Sequence, residues 1–285
     1  MNGPNGAQQG DKRDGMEPRA GETWDDLQNG YHILQSREGF RFGIDAVLLA
    51  DFAYRALTGY METALPVERP LRMLDLGCGN GIIPLLLAAR FRSVAEWRII
   101  GLELQEEGVD LARRSVRGNA LEEMIHIVQG DIKEVPATFA PGSFHAVVCN
   151  PPYWAAGTGK IGGKRQRAIA RHEICCTFRE VASAAGHVLG EDAPFFLIHR
   201  AQRRGEILRI LREQGLRPLR LRPVQPFADR EANLILIEAR PAGTPAGGGI
   251  PAGGPDLKEE APIIVYDRPG VYTREVLGIY GAEQE

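Results

Sequence analysis

Residues 71–81 read LRMLDLGCGNG: an apolar run, Leu71 to Leu76, meets Gly77, Gly79 and Gly81 in quick succession. The following IIPLLLAARF (82–91) is apolar for longer than a strand needs, and Pro84 is compatible with the first turn of a helix. The stretch therefore reads strand, turn, helix. Glycines at such a junction let the backbone approach a ligand without Cβ clashes. Their spacing is not the GxGxxG of dinucleotide sites, and the Lys and Ser/Thr of a phosphate-binding loop are absent, which disfavours a phosphate ligand. The strand ends on an acid, Asp75, which favours a cationic or amino-bearing one.

Downstream the pattern repeats. WRIIGLEL (97–104), IHIVQGD (125–131) and SFHAVVCN (143–150) read as strands, with QEEGVDLARRSVRGNA (105–120) as a helix between the first two. CCTFREVASAAGHVLG (175–190) fits a helix, APFFLIHR (193–200) a strand, and RRGEILRILREQG (203–215) a helix with Gly215 as C-cap. Alternation of this kind gives right-handed crossovers and a parallel sheet covered on both faces. RPLRLRPVQP and EANLILIEAR then follow with no helix between them, so the sheet is expected to close with an antiparallel hairpin. Asp75, Glu103 and Asp131 fall at three successive strand ends, along the edge where open α/β sheets bind ligands. Glu103 stands where a carboxylate takes both ribose hydroxyls in the doubly wound plan. Any one of these acids alone would read as a helix cap; the three together point to a nucleoside-type cofactor.

The chain has 285 residues and a net charge of −3, so basic groups for a nucleic acid would have to be gathered locally. No apolar run reaches membrane-spanning length and the N-terminal stretch has no secretory hydrophobic core, which leads us to expect a cytoplasmic protein. Cys78, Cys149, Cys175 and Cys176 show neither a paired framework nor zinc-site spacing, so reduced cysteines and no metal are expected. Near the N-terminus, YHILQS, a turn at Glu38-Gly39 and FRFGI suggest a hairpin leading into a helix over 45–57.

DLGCGNG, the acid of LEL, QGD and the NPPY of residues 150–153 resemble the motifs of class I S-adenosylmethionine-dependent methyltransferases. The resemblance implies a Rossmann-like doubly wound α/β sheet of about seven strands, the last antiparallel, with helices on both faces. It implies that Asp75 and the backbone of Gly77, Cys78 and Gly79 face the methionine part of the cofactor. Glu103, with Leu104 beside it, then takes the ribose, and Asp131 with the Ile132 backbone the adenine. The domain organisation expected is a disordered tail (1–22), a methyltransferase domain with an N-terminal hairpin and helix (23–240), a flexible PAG-rich insert (241–261) and a segment packing back on the domain (262–285).

AVVCNPPYW (146–154) places a polar amide, two prolines and two aromatics where the fourth strand stops. Prolines cannot continue a ladder and restrict the residue before them, so this tip is stiff. The exocyclic amine of adenine is a poor nucleophile because its lone pair is delocalised into the ring. Acceptance of its hydrogen bonds by the Asn150 side-chain oxygen and the Pro151 carbonyl would draw it toward tetrahedral geometry and favour the charge that develops on attack. Pro152 holds the acceptors in place, and Tyr153 offers a face for stacking, worth on the order of 1–3 kcal/mol. Trp154 extends that surface.

GKIGGKRQRAIAR (159–171) follows directly and carries Lys160, Lys164, Arg165, Arg167 and Arg171 with no acid, a composition suited to phosphates. GFRFGIDAVLLADF (39–52), NPPYW and YTREVLGIY (272–280) strongly resemble the bacterial tRNA(Val) adenine-N6 methyltransferases, which modify the adenine beside the anticodon. That resemblance implies a tRNA partner, and that Phe42 and Asp45 close over the cofactor's methionine end. The NPPY tip also occurs in enzymes acting on protein glutamine and on ribosomal RNA bases, and a fold of this kind can persist as a non-catalytic RNA-binding module.

Overall fold

A computed structural model describes residues 17–37, 42–64, 70–94, 96–151, 176–243 and 256–281. The chain begins with β1 (Glu22–Asp26) and β2 (His32–Ser36), then α1 (Ile44–Ala64). The regular α/β part comprises β3 (Leu71–Leu76), α2 (Ile82–Arg90), β4 (Trp97–Glu103), α3 (Glu106–Gly118), β5 (Ile125–Gln129), the short α4 (Val135–Thr138) and β6 (Ala146–Cys149). It continues through α5 (Phe178–Val188), β7 (Phe195–Arg200), α6 (Arg204–Glu213), β8 (Leu216–Gln225) and β9 (Leu234–Pro241). Four short strands, β10 (Lys258–Glu259), β11 (Ile263–Ile264), β12 (Tyr266–Arg268) and β13 (Val271–Tyr272), precede α7 (Arg274–Tyr280).

The central sheet runs β10-β8-β9-β7-β6-β3-β4-β5, with β11 also on β8. Pairings among β3 to β7 are parallel, and β9 is antiparallel to both β7 and β8. The expected antiparallel last strand is therefore present, inserted between β7 and β8. Strand alternation divides the apolar residues between two cores. Met73, Ile99, Val148, Phe196 and Leu236 join α1, α2 and α7 on one face; Leu74, Val147, Phe195, Leu197 and Ile237 join α5 and α6 on the other. Both faces of the parallel strands are thus dry, as their unbroken apolar runs require.

The N-terminal region departs from the sequence expectation. The hairpin pairs β1 with β2, Glu22 opposite Ser36 and Asp26 opposite His32, so YHILQS takes ETWDD as its partner rather than FRFGI. Residues 38–41 lie outside the described set; Phe42 and Gly43 are irregular and Ile44 already opens α1, which runs on to Ala64 rather than ending near Leu57. Tertiary bonds explain the choice: Ser115 Oγ of α3 accepts from Leu34 N at 2.9 Å, and Asn119 bonds both N–H and C=O of His32 at 2.9 and 2.7 Å.

At the other end, Ile263, Val265, Val276 and Ile279 are buried in the α1 and α2 core. Buried Glu238 of β9 accepts from Arg220 and Arg240, each at 2.8 Å, and Arg220 also reaches Glu260 at 2.9 Å, tying the segment after residue 256 to the sheet.

His199 of β7 is fully buried, its Nδ1 accepting from Arg200 N at 2.8 Å and its ring edge-on to Phe178. Burial, reinforced by the Arg203 charge, lowers its pKa to about 3. The unfolded chain gains a proton there below about pH 6.5 and the folded chain does not, so this stability is complete above that pH and drains away as pH falls toward 3. Between pH 7.5 and 5, His199→Gln should lose about 1–2 kcal/mol less in urea unfolding than the unaltered protein. Parallel losses in the two proteins would rule this out.

Candidate active site

The glycine turn is shaped by its backbone. Gly77 N and Cys78 N both donate to Leu102 O, at 2.8 and 3.0 Å, which hangs the turn from the end of β4. Gly77 and Gly79 have φ of 76° and 57°, and among the described residues no atom lies within 4 Å of where a Cβ would sit on either. Side chains are disfavoured there on conformational grounds, and the space beside them is open. Beneath the turn the fit is close: a Cβ on Gly101 would come 2.8 Å from Cys78 Sγ.

Asp75 is completely buried at the end of β3, and neither carboxylate oxygen has a hydrogen-bond partner among the described residues. Burial, with the charge of nearby Glu103, pushes its pKa well above the usual carboxylate range. A buried carboxylate without a donor is costly, and a ligand bringing a cationic donor would relieve that cost. Glu103 is also buried, and both its oxygens are engaged: Oε2 accepts from Gly79 N at 2.9 Å and Oε1 from Gln105 N at 2.8 Å. It braces the turn. Leu104 beside it is 38 % exposed, a large apolar side chain in the open. Asp131 caps the turn that follows β5, accepting from Lys133 N at 2.9 Å, and Ile132 is half-buried against the second core.

Asn150 follows β6, the strand next to β3, with Val148 opposite Asp75. Its Nδ2 donates to Asp45 Oδ2 at 3.3 Å, joining the tip to the first turn of α1. Pro151 is buried. Pro152, Tyr153 and Trp154, and the cations Lys160, Lys164, Arg165, Arg167 and Arg171, lie outside the described residues. Phe42 rests on the first core, its N–H donating to Gln35 Oε1 at 3.2 Å.

Two residues here had no sequence signal. Gln35, next to the apolar pair Ile33 and Leu34, is buried and positions Phe42. Asn80 donates to Leu34 O at 3.2 Å, tying the glycine turn to the hairpin. Both act over distances that periodicity does not report.

Among the described residues no group of His, Cys, Asp or Glu is arranged to hold a metal, and no described helix is long and apolar enough to cross a membrane. The open glycine cradle, the orphaned Asp75 and the exposed Leu104 fit a donor with an amino group at one end and a flat apolar base at the other, as S-adenosylmethionine has.

Residues 73–160 match a family model described as a methyltransferase domain. A crystal structure described as a predicted O-methyltransferase from Agrobacterium tumefaciens superposes with a TM-score of 0.58 at 22 % identity, covering 84 % of this chain and 96 % of that one, which shows the shared fold. The domain match, on this fold, defines an S-adenosylmethionine-dependent methyltransferase. Among curated relatives, the tRNA1(Val) (adenine(37)-N6)-methyltransferase of Erwinia tasmaniensis is 30 % identical over 215 residues, 74 % of this chain and 79 % of that protein. The protein of the same name from Aeromonas hydrophila is 27 % identical over 243 residues, 85 % and 89 % of the two chains. The chain belongs to the tRNA1(Val) (adenine(37)-N6)-methyltransferase family.

Proposed function

We propose that this protein transfers a methyl group from S-adenosylmethionine to the exocyclic N6 amine of an adenine in tRNA, the one beside the anticodon of tRNA(Val), in the cytoplasm. The observation that carries the reading is the junction of the strand tip with the donor rim: Asn150 is anchored to Asp45 at 3.3 Å on the strand next to orphaned Asp75.

When bound, S-adenosylmethionine supplies an electrophilic methyl group on a positively charged sulfur. Asp75 accepts from the amino end of that molecule, and the Gly77 to Gly79 backbone lies against it. Glu103 accepts from the ribose while still holding Gly79 and Gln105; Leu104, Asp131 and the Ile132 backbone border the adenine. The Asn150 oxygen and the Pro151 carbonyl accept from the target amine, hold it in line and favour its developing charge. Pro152 stiffens the corner and Tyr153 stacks on the base. Once alkylated, the nitrogen is acidic and loses its proton without a dedicated strong base. Lys160, Lys164, Arg165, Arg167 and Arg171 contact phosphates, which position the RNA without reading its sequence.

The test is to incubate the protein with isotopically labelled donor and total tRNA and ribosomal RNA from a strain lacking it, then to map the modified nucleoside by mass spectrometry. Label in N6-methyladenosine of tRNA(Val) supports the reading. Label in ribosomal RNA alone, in protein glutamine, or nowhere overturns it.

A further inference from the structure

Four aromatic rings form a ladder on the C-terminal segment. Phe227, just beyond β8, lies 5.7 Å between centroids from Tyr266 with its plane tilted by 38°; Tyr266 stacks on Tyr272 at 5.1 Å with planes 15° apart, and Tyr272 on Tyr280 at 5.5 Å and 22°. Rings packed in the neighbouring core meet at wider angles: Phe52 meets Phe196 at 89°, Tyr54 meets Phe91 at 69° and Phe91 meets Trp97 at 38°. Edge-to-face and offset-stacked contacts are both favoured between aromatic rings, and the near-parallel kind is the one that reproduces the geometry of stacked bases. All four are half-buried, and Val271 at the β12–β13 turn is 39 % exposed.

The ladder ends beside the strand tip. Tyr280 closes α7, which packs on α1, and α1 carries Asp45, the partner of Asn150. The Asp45 charge contributes to keeping the Tyr280 hydroxyl protonated, after burial and the hydrogen bond with Tyr272. Arg268 and Arg274 stand exposed on the same segment with no carboxylate partner among the described residues, while Arg222 is taken by Glu275 at 2.5 Å and Arg230 lies 3.8 Å from Asp229. Asp267, beside Arg268, is an exposed acid on the same segment.

We propose that this ladder is a docking shelf for unpaired nucleotides leading away from the target adenine, whose bases lie along it toward its Phe227 end while Arg268 and Arg274 meet the phosphates. The inference rests on the RNA-methylating reading above and extends it from the reacting base to its neighbours. Aromatic platforms of this kind accept any base, because every base has a flat face, and they require bases released from a helix. A loop therefore suits the shelf and a continuous duplex does not.

The experiment uses the full chain and a stem-loop RNA of the anticodon arm with 2-aminopurine in the unpaired loop a few nucleotides from the target adenine. Phe227→Leu and Tyr266→Leu keep apolar bulk and remove the ring. Each should weaken RNA binding roughly tenfold, raise KM for the RNA far more than it lowers kcat, and reduce quenching of the 2-aminopurine, with donor affinity and thermal midpoint held. Tyr266→Phe should restore binding, since it keeps the face and loses only the hydroxyl. If the leucine variants bind and quench like the unaltered protein while methylation proceeds, the shelf is wrong and the reaction assignment stands. If the unaltered protein transfers label to no RNA, the underlying reading fails and the shelf falls with it.

Discussion

Replacing Asn150 with alanine should lower the turnover of methyl transfer to RNA by about 10²–10³-fold, the typical loss when one preorganised polar partner of a developing charge is removed. The target amine then loses its side-chain acceptor and keeps only the Pro151 carbonyl. Donor affinity should change little, because Asn150 meets the donor rim through Asp45, and Asp45 stays anchored at the start of α1, where Ala46 N donates to its Oδ1 at 3.0 Å. The loss is therefore expected in kcat, measured at saturating donor and RNA, with calorimetric donor binding within a few-fold of normal. Asp45→Asn separates positioning from chemistry. Its amide oxygen can still accept from Asn150 Nδ2, so turnover should fall by about tenfold or less. Turnover in Asn150→Ala equal to that of the unaltered protein would remove the amide from the mechanism.

What could be read from residue order is what the sheet dictates locally. Leu71 to Gly81 announces strand, turn and helix because apolar length, glycine position and Pro84 agree, and the same logic located Glu103 and Asn150 at strand ends. The misread hairpin shows the limit. FRFGI looks more strand-like than ETWDD, yet β2 pairs with ETWDD while Ser115 and Asn119, more than eighty positions away, hold the other side of the hairpin. The end of α1 was misplaced for a related reason: Thr58 and Gly59 break the apolar pattern, and Tyr60 resumes it by burying beside Arg240. Glu103 was legible as an acid at a strand end, whereas its grip on Gly79 N and Gln105 N was not, since hydrogen bonds to backbone leave no trace in residue type. The tyrosine ladder is similar. Tyr266, Tyr272 and Tyr280 read as ordinary apolar packing until their parallel planes are seen.

Asp75→Asn should weaken S-adenosylmethionine binding by roughly 10–100-fold, the value of a charge-assisted hydrogen bond, while leaving the unliganded protein equally or more stable. The second half follows from the first observation about this residue: a buried carboxylate with no partner among the described residues costs stability unless it is protonated. Because its folded pKa is raised, the folded chain holds a proton that the unfolded chain has released, and the residue costs more stability as pH rises above the ordinary carboxylate range. Asparagine removes that cost. For the donor the sign is opposite. An incoming ammonium favours the ionised carboxylate, so binding expels the proton, and affinity should climb with pH through the window between the ordinary and the raised pKa. Calorimetry in buffers of different ionisation enthalpy should detect that released proton with the unaltered protein and none with Asp75→Asn. Donor affinity in the variant that matches the unaltered protein and follows the same pH curve would mean that the donor's amino group lies elsewhere, and the assignment of this strand end would have to be withdrawn.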